Sequence, residues 1–225
     1  MTAKNSILAA TTALPLIASV AYAKGKCEFG LNGGVGIPTG DFGSSDTTSG
    51  LDAKTGPTIG AIFFYFVTDK VAIGVDGTWN KNKHAAEGTV ENLGGGATLT
   101  ANKDKFKGWH LGAHGKFMIP TEGKVSPYGL LGVGVYHLAE DYEYTLDDGA
   151  CGITKFTDEG DQVVQPGSRL GGRIGVGTMI DTSPQIGVAL EGDYNLIKMD
   201  KDKFGVSSLK YITVRGGLYY KFTPK

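Results

Sequence analysis

The sequence predicts an all-β protein, an eight-stranded antiparallel up-and-down β-barrel that crosses a membrane. Three observations predict it. Strand-length segments with a two-residue hydrophobic period recur from residue 27 to residue 222. Their connections alternate between short and long. After the N-terminal segment no run of 18 apolar residues occurs, which excludes a transmembrane helix but not strands of about nine to eleven residues with one apolar face.

Met1 to Ala23 carries one positive side chain, Lys4, then an apolar stretch from Ile7 to Val20, then Ala21-Tyr22-Ala23. This is the layout of a secretory signal with small residues at the cleavage positions. Pro15 interrupts the run and argues against a helix of the mature chain. The expected organisation is therefore a signal peptide, 1–23, and a barrel domain, 24–225. Cleavage after Ala23 leaves 202 residues, one domain's worth, with 21 basic and 23 acidic side chains. That balance does not suggest nucleic acid as a partner. The 36 glycines recur inside strand-like runs such as Gly132-Val133-Gly134 and Gly175-Val176-Gly177, where soluble strands avoid them. Small residues let tilted strands bend around a narrow barrel.

Strands are expected at 27–38, 57–67, 71–82, 107–119, 126–139, 167–180, 185–197 and 209–222. Thr68-Asp69-Lys70, Pro120 to Lys124 and Asp181 to Pro184 are short connections rich in turn residues. The long connections are 39–56, 83–106, 140–166 and 198–208. Short turns on one side and long loops on the other is the organisation of outer-membrane barrels, and an even strand count puts both termini on the short-turn, periplasmic side.

Alternation is cleanest in the third strand, where Val71, Ile73, Val75 and Trp79 oppose Asp76, Thr78 and Asn80. In the fourth, Trp109, Leu111, Ala113, Phe117 and Ile119 oppose His110, His114 and Lys116. The seventh sets Ile186, Val188, Leu190, Tyr194 and Leu196 against Glu191, Asp193 and Asn195; the eighth sets Ile212, Val214, Leu218, Tyr220 and Phe222 against Thr213, Arg215 and Lys221. Phe63-Phe64-Tyr65-Phe66 and Leu130-Leu131 put bulk on both faces. A soluble lipocalin-like barrel would hide the apolar faces inside, but its exterior would then lack the Lys and Glu usual on soluble surfaces. Trp79, Trp109, Tyr128, Tyr194 and Tyr220 fall where interfacial aromatic girdles are expected. Cys27 at the periplasmic start of the first strand and Cys151 in an external loop are separated by about 25 Å of hydrocarbon, so no bridge between them is expected.

Phe29-Gly30-Leu31-Asn32-Gly33-Gly34-Val35-Gly36-Ile37-Pro38-Thr39-Gly40-Asp41-Phe42, with Pro127-Tyr128-Gly129-Leu130-Leu131-Gly132-Val133-Gly134 and the closing Leu218-Tyr219-Tyr220-Lys221-Phe222, resembles the OmpX and OmpA-like small outer-membrane barrel proteins. The resemblance covers residues 27 to 222. It implies a monomer in the cell outer membrane, in contact with membrane lipid and lipopolysaccharide. The last motif resembles the terminal-strand signal read by the outer-membrane assembly machinery, although Thr223-Pro224-Lys225 follow Phe222 here.

With the polar faces inward, Glu28, Asn32, Asp76, His110, His114, Lys116, Arg169, Arg173, Glu191, Asp193 and Arg215 are expected to share the lumen as a structural polar network. Arg169 and Arg173 lie on the strand next to the one carrying Glu191 and Asp193, where charge-assisted pairs can form. Such a network plugs the barrel, whereas a pore would leave the charges to select solutes; eight strands enclose a space that side chains can fill. His110 and His114 stand four residues apart on a strand, about 13 Å, which argues against one shared zinc. No Gly-x-Ser-x-Gly elbow, Walker loop or His-Glu-x-x-His occurs, and no partner can be named for Ser44-Ser45 or Ser207-Ser208 in a lipid-modifying enzyme. No catalytic residue, cofactor or metal site is therefore expected.

The loop from Glu140 to Asp161 holds eight acids, Glu140, Asp141, Glu143, Asp147, Asp148, Asp158, Glu159 and Asp161, against Lys155. It reads as a solvated, self-repelling external loop whose spacing matches no calcium loop. Lys81, Lys83, His84, Lys103, Lys105 and Lys107, around the second loop, are able to meet phosphates. The expected function is a structural or surface-interaction role carried by the long loops, with a narrow channel for ions or small solutes as the alternative and a lipid-modifying enzyme as the third reading.

Overall fold

The computed structural model describes residues 25–44, 52–84, 87–119, 121–147, 153–159, 167–199 and 207–224. Ten strands run in chain order among them: β1 (Cys27–Thr39), β2 (Gly56–Phe66), β3 (Val71–Lys83), β4 (Val90–Gly94), β5 (Ala97–Met118), β6 (Val125–Asp147), β7 (Ile153–Glu159), β8 (Gly167–Asp181), β9 (Ile186–Lys198) and β10 (Ser208–Phe222). Eight of them close a barrel in the order β5-β3-β2-β1-β10-β9-β8-β6, with β6 returning to β5. Every pairing is antiparallel, and β1 closes on β10 from Cys27↔Phe222 to Thr39↔Lys210. The closed ladder leaves no strand edge in the membrane, which lipid requires.

Short turns hold one end. Thr68 Oγ1 accepts the Lys70 and Val71 N–H groups at 3.2 and 3.0 Å, and Ser183 Oγ accepts those of Gln185 and Ile186 at 3.3 and 3.0 Å. These hydroxyl-capped turns explain why the short connections are rich in Thr, Ser and Asp.

Large apolar side chains face outward on all eight strands, among them Leu31, Ile59, Ile73, Leu111, Val133, Val176, Leu190 and Leu218. Trp79, Trp109, Tyr194 and Tyr220 also face out. Tyr128 does not. It shares the inward face of β6 with Leu130 and Tyr136 and is 3% exposed, so its assignment to an interfacial girdle is corrected. The segments with bulk on both faces are resolved the same way: Phe64 and Leu130 are buried inside, while Leu131 is exposed outside.

The lumen is layered. Near the short turns Ile62, Phe64, Ala72, Tyr128, Leu130, Met179, Ala189 and Tyr219 form one apolar cluster. Near the long loops Phe42, Ala53, Phe106, Tyr136, Leu138, Ile197, Met199, Leu209 and Tyr211 form another. Inward aromatic rings lie over glycines on neighbouring strands: a Cβ on Gly30 would stand 2.5 Å from the Tyr219 ring, and one on Gly177 2.4 Å from that of Tyr128. Glycine thus supplies room for the filling as well as curvature.

Two of the expected connections are wrong in form. β5 begins at Ala97, not 107, and β6 runs to Asp147, not 139. Their ladder extends to Thr98↔Asp147, and β4 and β7 pair on its two outer edges. The result is a four-stranded sheet, β4-β5-β6-β7, beyond the barrel. Thr98-Leu99-Thr100 and Tyr144-Thr145-Leu146 are good strand formers, but their faces are not divided into apolar and polar, so they lack the amphipathic signal of a membrane strand. The acidic segment is accordingly not a solvated loop throughout. Asp141 is 5% exposed and pairs with Lys107, with Lys103 Nζ at 3.8 Å. Cys151, Asp148, Asp161, Ser45 and the segment 1–23 lie outside the described residues.

Candidate functional site

Between the two apolar layers lies a belt of charge built from five strands: Asp76 on β3, His110 and His114 on β5, Arg173 on β8, Glu191 and Asp193 on β9, and Arg215 on β10, each at most 5% exposed. Strand alternation alone puts these side chains inside; closure of the barrel brings them together. Arg215 Nη2 donates to Glu191 and, at 2.7 Å, to Asp193 Oδ2. Arg173 Nη1 donates across the lumen to Asp76 Oδ2 at 2.8 Å, while its Nη2 lies 4.0 Å from Glu191 and its Nε 3.6 Å from Asp193. The first partner of Arg173 is therefore on β3, not on the adjacent β9. Tyr128 Oη donates to Glu191 Oε2 at 3.0 Å, and Thr78 Oγ1 to Asp76 Oδ2 at 3.3 Å.

Glu28 and Lys116 form a separate pair nearer the turns, with Lys116 Nζ donating to Glu28 Oε2 at 2.6 Å. The ammonium also sits over the rings of Tyr128 and Phe64, at 4.6 and 5.0 Å from their centroids. Desolvation would otherwise penalise this cation, and the aromatic faces offset it. Asn32 is half-buried, with Oδ1 making no hydrogen bond. Arg169 is not brought into the belt; its Nη1 donates to the Ser168 carbonyl at 3.4 Å at the loop end.

The distance argument against a shared ion on the two histidines does not hold. Their ring centroids are 6.0 Å apart. The residue between them on the inward face is Gly112, and the rings lean together over it; a Cβ there would stand 2.6 Å from His110 Nε2 and 3.1 Å from Asp76 Oδ1. Gly132 and Gly134 on β6 clear the other side, since their Cβ atoms would reach the rings of His114 and His110 at 2.0 and 2.3 Å. Backbone separation along a strand limits side chains only when something stands between them. Asp76 pairs with Gly112 in register, which places its carboxylate opposite the gap.

At the other end of the molecule the outward face of β3 and β5 carries a ladder of lysines. Lys81 stands opposite Lys107 and Lys83 opposite Lys105, directly beyond the pair Trp79↔Trp109. The Trp109 indole stacks on His137 at 5.4 Å. Like charges directly opposed on a sheet are unfavourable by about 0.2–1 kcal/mol. Glu87 relieves one rung, lying 3.1 Å from Lys105 and 3.5 Å from Lys83. Asp141 relieves Lys107, whereas Lys81 has no acidic partner among the described residues.

A family model for the outer membrane protein beta-barrel domain matches residues 6–222. The chain belongs to that family. Among solved structures this outer-membrane barrel is similar to Neisserial surface protein A, at a TM-score of 0.57 and 14% identity over 88% of this chain and 100% of that one. Ail, the attachment invasion locus protein of Yersinia pestis, has 17% identity and a TM-score of 0.45 over 89% of this barrel and 100% of Ail. The outer membrane enzyme PagL has 12% identity and a TM-score of 0.42 over 86% and 98% of the two chains. No curated protein matches the chain. At these identities the likeness shows the fold, and family and fold together place the barrel in the cell outer membrane.

Proposed function

We propose that this outer-membrane barrel is a monomeric, non-conducting anchor for a surface-interaction sheet, exported with a signal peptide cleaved after Ala23. The observation that carries the reading is the filled lumen. Apolar layers lie on both sides of the charge belt. The cavity in the belt, lined by Thr58, Asn80, His110, Arg173, Asn195 and Arg215 among others, has a volume of about 10 Å³. That is room for one water molecule and not for a column of them. The part of the chain that offers surface to a partner is then β4-β5-β6-β7, where Val90, Leu93 and Ile153 are exposed beyond the membrane on the two added strands. The reading assigns the chain no reaction. A channel for ions or small solutes is the alternative it must exclude. In a planar bilayer, purified barrel whose gel mobility shifts on boiling is expected to give no conductance above the bare membrane; steady single-channel steps would replace this reading with the channel.

The lysine ladder supports contact with lipopolysaccharide. It stands just beyond the tryptophan pair, at the height of the phosphate-bearing headgroups if the indoles mark the interface. Phosphate on Lys81 and Lys107 would relieve the one opposed pair that Glu87 does not reach. The double variant Lys81→Glu/Lys107→Glu is expected to lose most of the thermal stabilisation that vesicles containing lipopolysaccharide give over phosphatidylcholine vesicles. Because Lys107→Glu also places a like charge beside buried Asp141, each protein is compared with its own stability in phosphatidylcholine alone. Equal stabilisation of both proteins by lipopolysaccharide would rule the ladder out as its contact.

A further inference from the structure

We propose that Asp76, His110 and His114 form a buried binding site for one divalent transition-metal ion of the zinc, cobalt or copper kind. Among the described residues they are the one group of His, Cys, Asp and Glu whose candidate ligand atoms all lie within 4.8 Å of one another. Two imidazoles and a carboxylate suit such ions and not calcium or magnesium, which take oxygen.

The spacing fits. Asp76 Oδ1 lies 3.2 Å from His114 Nδ1 and 3.6 Å from His110 Nδ1. A tetrahedral ion with ligands at about 2.0–2.1 Å holds them about 3.3–3.4 Å apart. These two distances are within a few tenths of an ångström of that value and the remaining one lies within 4.8 Å, so the rings must close on the ion, and Gly112, Gly132 and Gly134 place no side chain among the ligands.

A second observation is the lack of well-formed hydrogen bonds. Asp76 Oδ1, His110 Nε2 and both ring nitrogens of His114 are buried and make no hydrogen bond. Buried polar atoms are rarely left so; on Asp76 and His114 the unpartnered Oδ1 and Nδ1 are the atoms that face each other, while on His110 Nδ1 faces the carboxylate and Nε2 is the atom without a bond. Asp76 Oδ2, by contrast, is held by Arg173 and Thr78. Those bonds fix the carboxylate with Oδ1 turned to the imidazoles, the task of outer-shell partners in metal sites. The small cavity beside His110 has room for a water-sized further ligand.

On the proposed reading of a filled lumen, with apolar layers on both sides of the belt, the ion is captured as the strands close. Untagged chain refolded from urea into detergent with Co²⁺, then freed of excess metal by gel filtration, is expected to retain about one cobalt per folded chain. It should show the visible absorption of nitrogen- and oxygen-ligated Co²⁺. The His110→Ala/His114→Ala variant, with folding checked by its gel shift on boiling, is expected to retain less than a tenth as much, while His84→Ala/His137→Ala retains the full amount. Equal cobalt in wild type and the His110/His114 variant, or none in either, overturns the proposal. Cu²⁺-loaded wild type gives a readout independent of any variant: paramagnetic resonance with coupling to two nitrogens supports the site, and coupling to one or none overturns it.

Discussion

Replacing Arg215 by methionine is expected to destabilise the barrel by about 3–5 kcal/mol, the cost of leaving buried charge without its partner. Arg215 donates to both Glu191 and Asp193 and is 2% exposed. Without it the two carboxylates face each other with Arg173 as the nearest cation, at 4.0 and 3.6 Å, and the Tyr128 hydroxyl on Glu191. The measurement is urea unfolding in phosphatidylcholine vesicles, followed by the loss of heat-modifiable mobility. The triple variant Arg215→Met/Glu191→Gln/Asp193→Asn should recover much of the loss, since it removes the charges along with their partner. A loss under about 1 kcal/mol for the single variant would mean that water reaches the belt, which would revive the channel. The same experiment thus reads both the energetics of the lumen and whether it is dry.

The second large effect is expected where a soluble protein would show none. Val133 is 69% exposed. It lies on β6 opposite Ala113, between the rungs His137↔Trp109 and Gly129↔Phe117 that mark the two ends of the apolar band. On a water-exposed surface Val133→Arg would be nearly neutral, within about 0.5 kcal/mol. At the middle of the hydrocarbon it should cost about 2–4 kcal/mol. Leu93→Arg is the control, because Leu93 is also exposed but sits on β4, beyond the barrel, and its replacement is expected to change stability by less than about 0.5 kcal/mol. Equal, small effects at both positions would mean that Val133 does not face lipid.

What was legible in the sequence has a common character. The outward faces of β3, β5, β9 and β10 follow from a period of two that any strand imposes on its neighbours along the chain. The number of barrel strands follows from alternating short and long connections, because a turn of three to five residues can join only adjacent antiparallel strands. Where both faces carry bulk, as at Phe63-Phe64 and Leu130-Leu131, the same pattern is silent about which side is lipid.

The belt was legible as a list and not as an arrangement. That His110, His114, Arg173, Glu191, Asp193 and Arg215 face inward is a local property of each strand. That Arg173 reaches Asp76 across the lumen, that Tyr128 turns in to Glu191, and that two rings four residues apart meet over Gly112 all depend on register and closure. Lys81↔Lys107 and the ladder of β5 and β6 out to Asp147 depend on them too. The sequence by itself determined the alternating faces, the eight barrel strands and the membrane that such faces require, because these follow from periodicity within a single strand. Only the tertiary structure decided which charges touch, which strands outgrow the membrane and that Asp76, His110 and His114 meet, because pairing between strands distant in the chain is set by barrel closure.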